Sequence, residues 1–172
     1  MARAFVAIVP PLDTRATLVV ERDELAAGLR GWRWVADAQL HLTLAFFGDA
    51  DLDQLANRID PRVGTAPFEL TLRGIGAFPR PRAARVLWSG VCRGRRELDA
   101  LARSIDASSG HARDERFRPH LTLARSRTPH DVSATVRAAG IEHRWLVTDV
   151  VLFESVLGPD GAQHRAHTRW AW

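Results

Sequence analysis

A histidine and a threonine two residues apart occur twice in the same setting, as His41-Leu42-Thr43-Leu44-Ala45 and His120-Leu121-Thr122-Leu123-Ala124. A neutral imidazole takes a proton from water and an imidazolium gives one to a leaving oxygen, and both forms are accessible near neutral pH. Two imidazoles facing one space form a complete acid/base set. A hydroxyl beside each can donate a hydrogen bond to the non-bridging oxygens of a phosphate, where charge concentrates during an in-line displacement. Hydrolysis of a strained cyclic phosphodiester needs these parts: a base for water, an acid for the ribose oxygen and donors for the phosphoryl oxygens.

Strands are the elements that would position them. Successive side chains on a strand point to opposite faces, so His41 and Thr43 share one face while Leu42 and Leu44 share the other. His120 and Thr122 stand likewise in front of Leu121 and Leu123. Each copy reads as a strand with leucines in the core and polar groups over a cleft, and the four leucines are core residues.

Around these strands the pattern predicts a buried strand over residues 5–9 and a helix over 12–29 with an apolar stripe of Leu12, Ala16, Val19, Val20, Leu25 and Leu29. A short strand follows at 32–35, and the first motif strand covers 39–46 and is ended by Gly48. Asp51 caps a helix reaching about residue 63, with Gln54 placed as in a capping box. Strands at 68–75 and 86–91 flank a Pro/Arg loop at 76–82. A helix over 97–108 ends at Gly110, and a short helix is read over 130–139, ending at Gly140. Residues 144–156 read as one long strand, with a turn at Gly158-Pro159-Asp160-Gly161 and a return strand over 164–172. Mixed helices and hairpins point to the α+β class with antiparallel sheets. The whole chain, 1–172, reads as one domain of two pseudo-symmetric lobes, each carrying one motif.

Size and composition fit this reading. The 172 residues, 46% hydrophobic and 26% charged, suit one buried soluble unit. All 24 basic residues are arginine, and the net charge of +4 is compatible with an anionic substrate without demonstrating one. Cys92, in an apolar run, reads as a packed residue, and a single cysteine fits a reducing compartment. The apolar start is cut by Pro10 and Pro11, so neither a signal peptide nor a membrane span is expected and the protein reads as cytoplasmic.

The paired H-x-T-x motifs resemble those of the 2H phosphoesterases. The wider match, through AFVAI, LHLTLAFFGD, AFPRPRAARVLW, RFRPHLTLAR and VLFESVLGPDGA, is similar to the RNA 2',3'-cyclic phosphodiesterases, also called 2'-5' RNA ligases. The resemblance implies a bilobal fold of two mainly antiparallel sheets with flanking helices around a central cleft, and no metal or cofactor. It implies hydrolysis of a 2',3'-cyclic phosphate on RNA or a nucleotide to a 2'-phosphomonoester, with ATP-independent 2'-5' joining as the reverse. It makes His41 the proton donor and His120 the proton acceptor, a distinction the residues themselves leave open. It further suggests that Phe46 and Arg125, each five residues after its histidine, clasp a nucleobase. Strand parity opposes that pair, because an odd offset puts both on the leucine face unless the strand has ended or bulged.

Other features compete for attention. A metal site would need a further ligand beside the two histidines, and neither Asp49 nor Asp114 has an evident place there. His164 and His167 read as scattered surface residues. Trp88, Trp145, Trp170 and Trp172 read as filling the core and its edges rather than as a stacking platform. Arg80, Arg82 and Arg85 form a basic loop that either tracks an RNA backbone or is simply solvated. No obligate protein partner is evident, and a monomer is expected. The rival to a phosphoesterase is a nucleotide- or RNA-binding module that keeps the cleft without turnover. A relative acting on another cyclic or oligoadenylate phosphodiester is a third possibility.

Overall fold

The computed structural model describes residues 2–112, 116–158 and 161–172, so Asp114 and the Pro159-Asp160 tip of the expected turn lie outside the described residues. The strands are β1 (Ala2–Ile8), β2 (Arg33–Trp34), β3 (Leu42–Ala50), β4 (Phe68–Phe78), β5 (Ala84–Arg93), β6 (His120–His130), β7 (Glu142–Val147), β8 (Asp149–Gly158) and β9 (Gly161–Ala171). The helices are α1 (Leu12–Gly28), α2 (Leu52–Arg58), α3 (Arg95–Ser109) and α4 (Ser133–Ala138). The class is α+β with antiparallel pairing throughout the described strands.

The strand order is β7-β4-β5-β6-β3-β1-β8-β9, with β2 beside β6. The two sheets expected from the resemblance are therefore joined. Four strands lie on each side, and the two motif strands connect the halves through one pair, Leu42 opposite Leu121. The long helices secure this junction. The helix α1 is inserted between strands of one half and packs on β7 of the other, whereas α3 follows β5 and packs on β3 across the junction. Leu98, Leu101, Ala102 and Ile105 form the buried face of α3, and Leu42, Leu44, Leu121 and Leu123 are wholly buried beneath the junction.

Several local expectations change. In α1 the buried residues are Leu18 and Arg22, while Leu12 and Val20 of the expected stripe are exposed. Arg22 sets the inward face, since its guanidinium bonds the Val35 carbonyl at 2.6 Å and Asp37 at 2.7 Å. Asp51 does cap α2, accepting from the Gln54 backbone N–H at 3.0 Å, but the helix stops at Arg58, shortly before Pro61, instead of reaching residue 63. The first motif strand passes Gly48, which takes a positive φ of 64° within it. Residues 144–156 divide into β7 and β8 around Thr148, because the chain there leaves β4 and pairs with β1. Cys92 is exposed on β5.

Truncating a leucine at the junction leaves a cavity where the halves meet. Leu42→Ala is expected to cost about 2–5 kcal/mol in urea unfolding, and Thr43→Ala, which removes a cleft hydroxyl, about 1 kcal/mol or less. Equal losses would place the threonine in the core.

Candidate active site

The junction register brings the motifs face to face. Carried one residue to either side of the Leu42–Leu121 pair, it sets His41 opposite Thr122 and Thr43 opposite His120. All four side chains line one cleft of about 530 Å³. Neither threonine hydroxyl bonds to another described group, which leaves both available to a ligand.

Phe46 and Arg125 line the same cleft, against the parity argument. On β3 the partners of Thr43, Ala45 and Phe46 are Ala7, Val6 and Phe5, so Leu44 is an extra residue. On β6 the partners of Thr122, Ala124 and Arg125 are Trp88, Leu87 and Val86, so Leu123 is extra in the same way. A bulge at the fourth residue of each HLTLA segment lets two successive residues point inward and returns the fifth-offset residue to the polar face. The burial agrees, with Leu44, Ala45, Leu123 and Ala124 all in the core and Phe46 47% exposed. The alanine that closes each repeat is the buried residue that follows the bulge. Arg3 lies over the Phe46 ring at 5.7 Å from its centroid.

The two histidines are held alike. His41 Nδ1 lies 2.6 Å from the Gln39 carbonyl, and His120 Nδ1 lies 2.6 Å from the Arg118 carbonyl. A carbonyl only accepts, so each Nδ1–H donates and each Nε2 carries the chemistry at the cleft. Burial pushes His41 down to about 4, opposed by the Gln39 bond and reinforced by His164, Arg125 and His120. Burial also lowers His120, with Arg125 adding to the effect and the Arg118 bond opposing it. Both shifts favour the neutral imidazole, and a bound anion would favour charging one of them.

The pattern reading missed His164. Its ring meets His41 edge-on at 5.3 Å and Phe5 at 4.8 Å, and it lines the cleft instead of scattering on the surface. Its place depends on β9 folding back on β8, where it pairs with Ser155. Arg22 was also missed as a positioning residue, since its bonds hold the segment after β2 that forms another cleft wall. Gln39 fixes the same segment to β9 by donating to the Ala162 carbonyl at 2.6 Å.

Among the remaining expectations, Trp145 and Trp170 are buried and Trp172 packs on the core. Trp88 is not a core filler but a half-buried ring beside His120, with centroids 6.1 Å apart. Arg80, Arg82 and Arg85 do not line the cleft, and Arg85 instead donates to the Arg127 carbonyl. His167 sits by Asp53, 3.2 Å away. Among the described residues no group of three His, Cys, Asp or Glu side chains is arranged to hold a metal ion. No described helix is long and apolar enough to cross a membrane.

An antiparallel sheet whose two halves each send an H-x-T-x strand to one cleft is the arrangement of a 2H phosphoesterase. The chain belongs to the 2'-5' RNA ligase superfamily, whose model matches residues 18–158. An RNA 2',3'-cyclic phosphodiesterase of Archaeoglobus fulgidus is 36% identical over 144 residues, 78% of this chain and 81% of the relative. One of Escherichia coli is 31% identical over 175 residues, 98% and 96% of the two chains. The crystal structure of E. coli LigT complexed with 3'-AMP superposes with a TM-score of 0.76 at 30% identity, covering 99% of this chain and 97% of that one.

The depressed His41 gives a direct check of the cleft. NMR titration of the ligand-free protein is expected to place the His41 ring near 4, and inorganic phosphate is expected to raise that value. A value unmoved by saturating phosphate would mean that the anion does not contact His41.

Proposed function

We propose that this chain is an RNA 2',3'-cyclic phosphodiesterase that hydrolyses a terminal cyclic phosphate to a 2'-phosphomonoester by metal-independent catalysis. The observation that carries this reading is the matched tethering of two imidazoles, each with Nδ1 tied to a carbonyl two residues back and both lining one cleft. The relatives named RNA 2',3'-cyclic phosphodiesterase support the substrate class.

In this scheme His120 Nε2 takes a proton from water as the water oxygen bonds to phosphorus. The bond from phosphorus to the 3'-oxygen breaks, and that oxygen takes the proton of His41 Nε2. Thr43 and Thr122 donate to the non-bridging oxygens, where preorganised donors stabilise developing charge. Phe46 and Arg125 clasp the base, the ring stacking and the guanidinium also drawing in the phosphate. A 5'-hydroxyl in place of water would give a 2'-5' linkage by the same transfers, without ATP. The assignment of His41 as donor and His120 as acceptor follows the family resemblance.

The reading also takes the chain as one domain of two pseudo-symmetric lobes acting as a cytoplasmic monomer, supported by the shared junction and the single cysteine.

The test is hydrolysis of an RNA oligonucleotide ending in a 2',3'-cyclic phosphate, in excess EDTA, with the product phosphate located. His41→Ala and His120→Ala are each expected to lose at least about 100-fold in kcat, and Thr43→Ala or Thr122→Ala less. Unimpaired turnover in either histidine variant rejects the scheme, and RNA binding without turnover in the wild type would favour the binding module.

The pH profile is a separate check. The donor must be charged and the acceptor neutral, and both are depressed in the free protein. The profile of kcat/KM should therefore be a bell with its maximum below about 6.5. Its two limbs belong to the pair and not to single residues. A maximum well above neutrality would contradict the depressed imidazoles.

A further inference from the structure

His120 also borders two open grooves, one of about 970 Å³ beyond the cleft and one of about 780 Å³ that shares Thr43, Phe46 and His120 with it. The larger runs between α3 and the segment at 116–119, and the smaller links it to Phe46. Sites of roughly 300–1,000 Å³ hold drug-sized ligands, so cleft and grooves together have room for more than one nucleotide.

Two features of the larger groove point to an occupant. Its lining carries four arginines, Arg95, Arg103, Arg116 and Arg118, against two aspartates, Asp99 and Asp106. None of these four arginines makes an ion pair with a described residue, and Arg95 Nε donates to the Val91 carbonyl at 2.8 Å. Next to them lies an aromatic floor. The Trp88 ring lies over Gly76 of β4, where a Cβ would be 2.2 Å from it, and a Cβ at Gly90 of β5 would be 3.0 Å away. Glycine at Gly76 is what permits this, since any side chain there would displace the indole. Phe78 packs at 5.0 Å from Trp88 and edge-on at 5.1 Å from His120, so the floor abuts the imidazole.

We propose that this groove is the track for the single-stranded RNA on the 5' side of the reacting nucleotide, with Trp88 and Phe78 stacking a base and Arg95, Arg103, Arg116 and Arg118 engaging the phosphates. Sequence-tolerant stacking beside a basic groove is how single strands are held without base-specific contacts. An RNA end with a cyclic phosphate always carries its chain on the 5' side, and that chain must leave the cleft along the surface. The smaller groove provides the route from Phe46 past His120. This inference rests on the proposed phosphodiesterase reading and adds that the enzyme is built for RNA ends over free cyclic nucleotides.

The test compares adenosine 2',3'-cyclic phosphate with a 5'-labelled pentanucleotide ending in the same group, at fixed ionic strength. The wild type is expected to favour the pentanucleotide by about tenfold or more in kcat/KM, mainly through KM. Arg103→Ala/Arg116→Ala and, separately, Arg103→Glu alter exposed side chains and are expected to remove most of that preference and flatten its salt dependence. Turnover of the mononucleotide should stay within about twofold, because one nucleotide fills only the cleft. Absence of a preference in the wild type, or its survival in both variants, overturns the track. If neither substrate is turned over, the phosphodiesterase reading fails. The track is then decided by fluorescence anisotropy of the same pentanucleotide, where a tenfold weakening in the variants sustains it and unchanged binding rejects it.

Discussion

The Leu42–Leu121 pair is the constraint on which the rest depends. It joins the two halves of the sheet, and its register places each motif histidine opposite the other motif's threonine. Because one face of each strand is buried, a slip of one residue would turn the leucines to the cleft and the imidazoles to the core. The wholly buried leucines thus secure the alignment of the polar groups in front of them. The long helices reinforce this, since each packs across the junction onto the half it does not belong to in the chain.

The electrostatics of the cleft follow from the same packing. Strands that bury their leucines also bury the histidines beside them, and desolvation is the leading cause of the depressed His41 and His120. Arg125, returned to the cleft by the Leu123 bulge, adds repulsion to both imidazoles. Both effects favour the neutral imidazoles, and a negative charge placed in the cleft would act against them. The burial of the histidines and the approach of Arg125 to them have one structural origin in the paired strands.

Legibility in the sequence varied with the range of the interaction responsible. The alternation of HLTLA exposed the motif strands and their two faces, because strand parity is local. The Asp51 cap and the Gly110 stop were equally visible, being contacts within a few residues. The inward face of α1 was not, because Arg22 is buried by partners at Val35 and Asp37 that lie beyond the helix. His164 was hidden for a related reason, since spacing on its own strand gives no hint that β9 lies against Phe5 and His41.

The residue types of the cleft, the strands that carry them and, through the matched pattern, the family resemblance are readable along the chain. Which side chains share the cleft depends instead on how the strands pair. The bulges at Leu44 and Leu123 reverse the parity for Phe46 and Arg125, and a bulge arises from pairing with a neighbouring strand, which no single strand encodes. The same holds for the close approach of Trp88 to the adjacent strand, which requires glycine at Gly76. Periodicity reports which face a side chain takes along its own strand, whereas register and close approach are properties of two strands together.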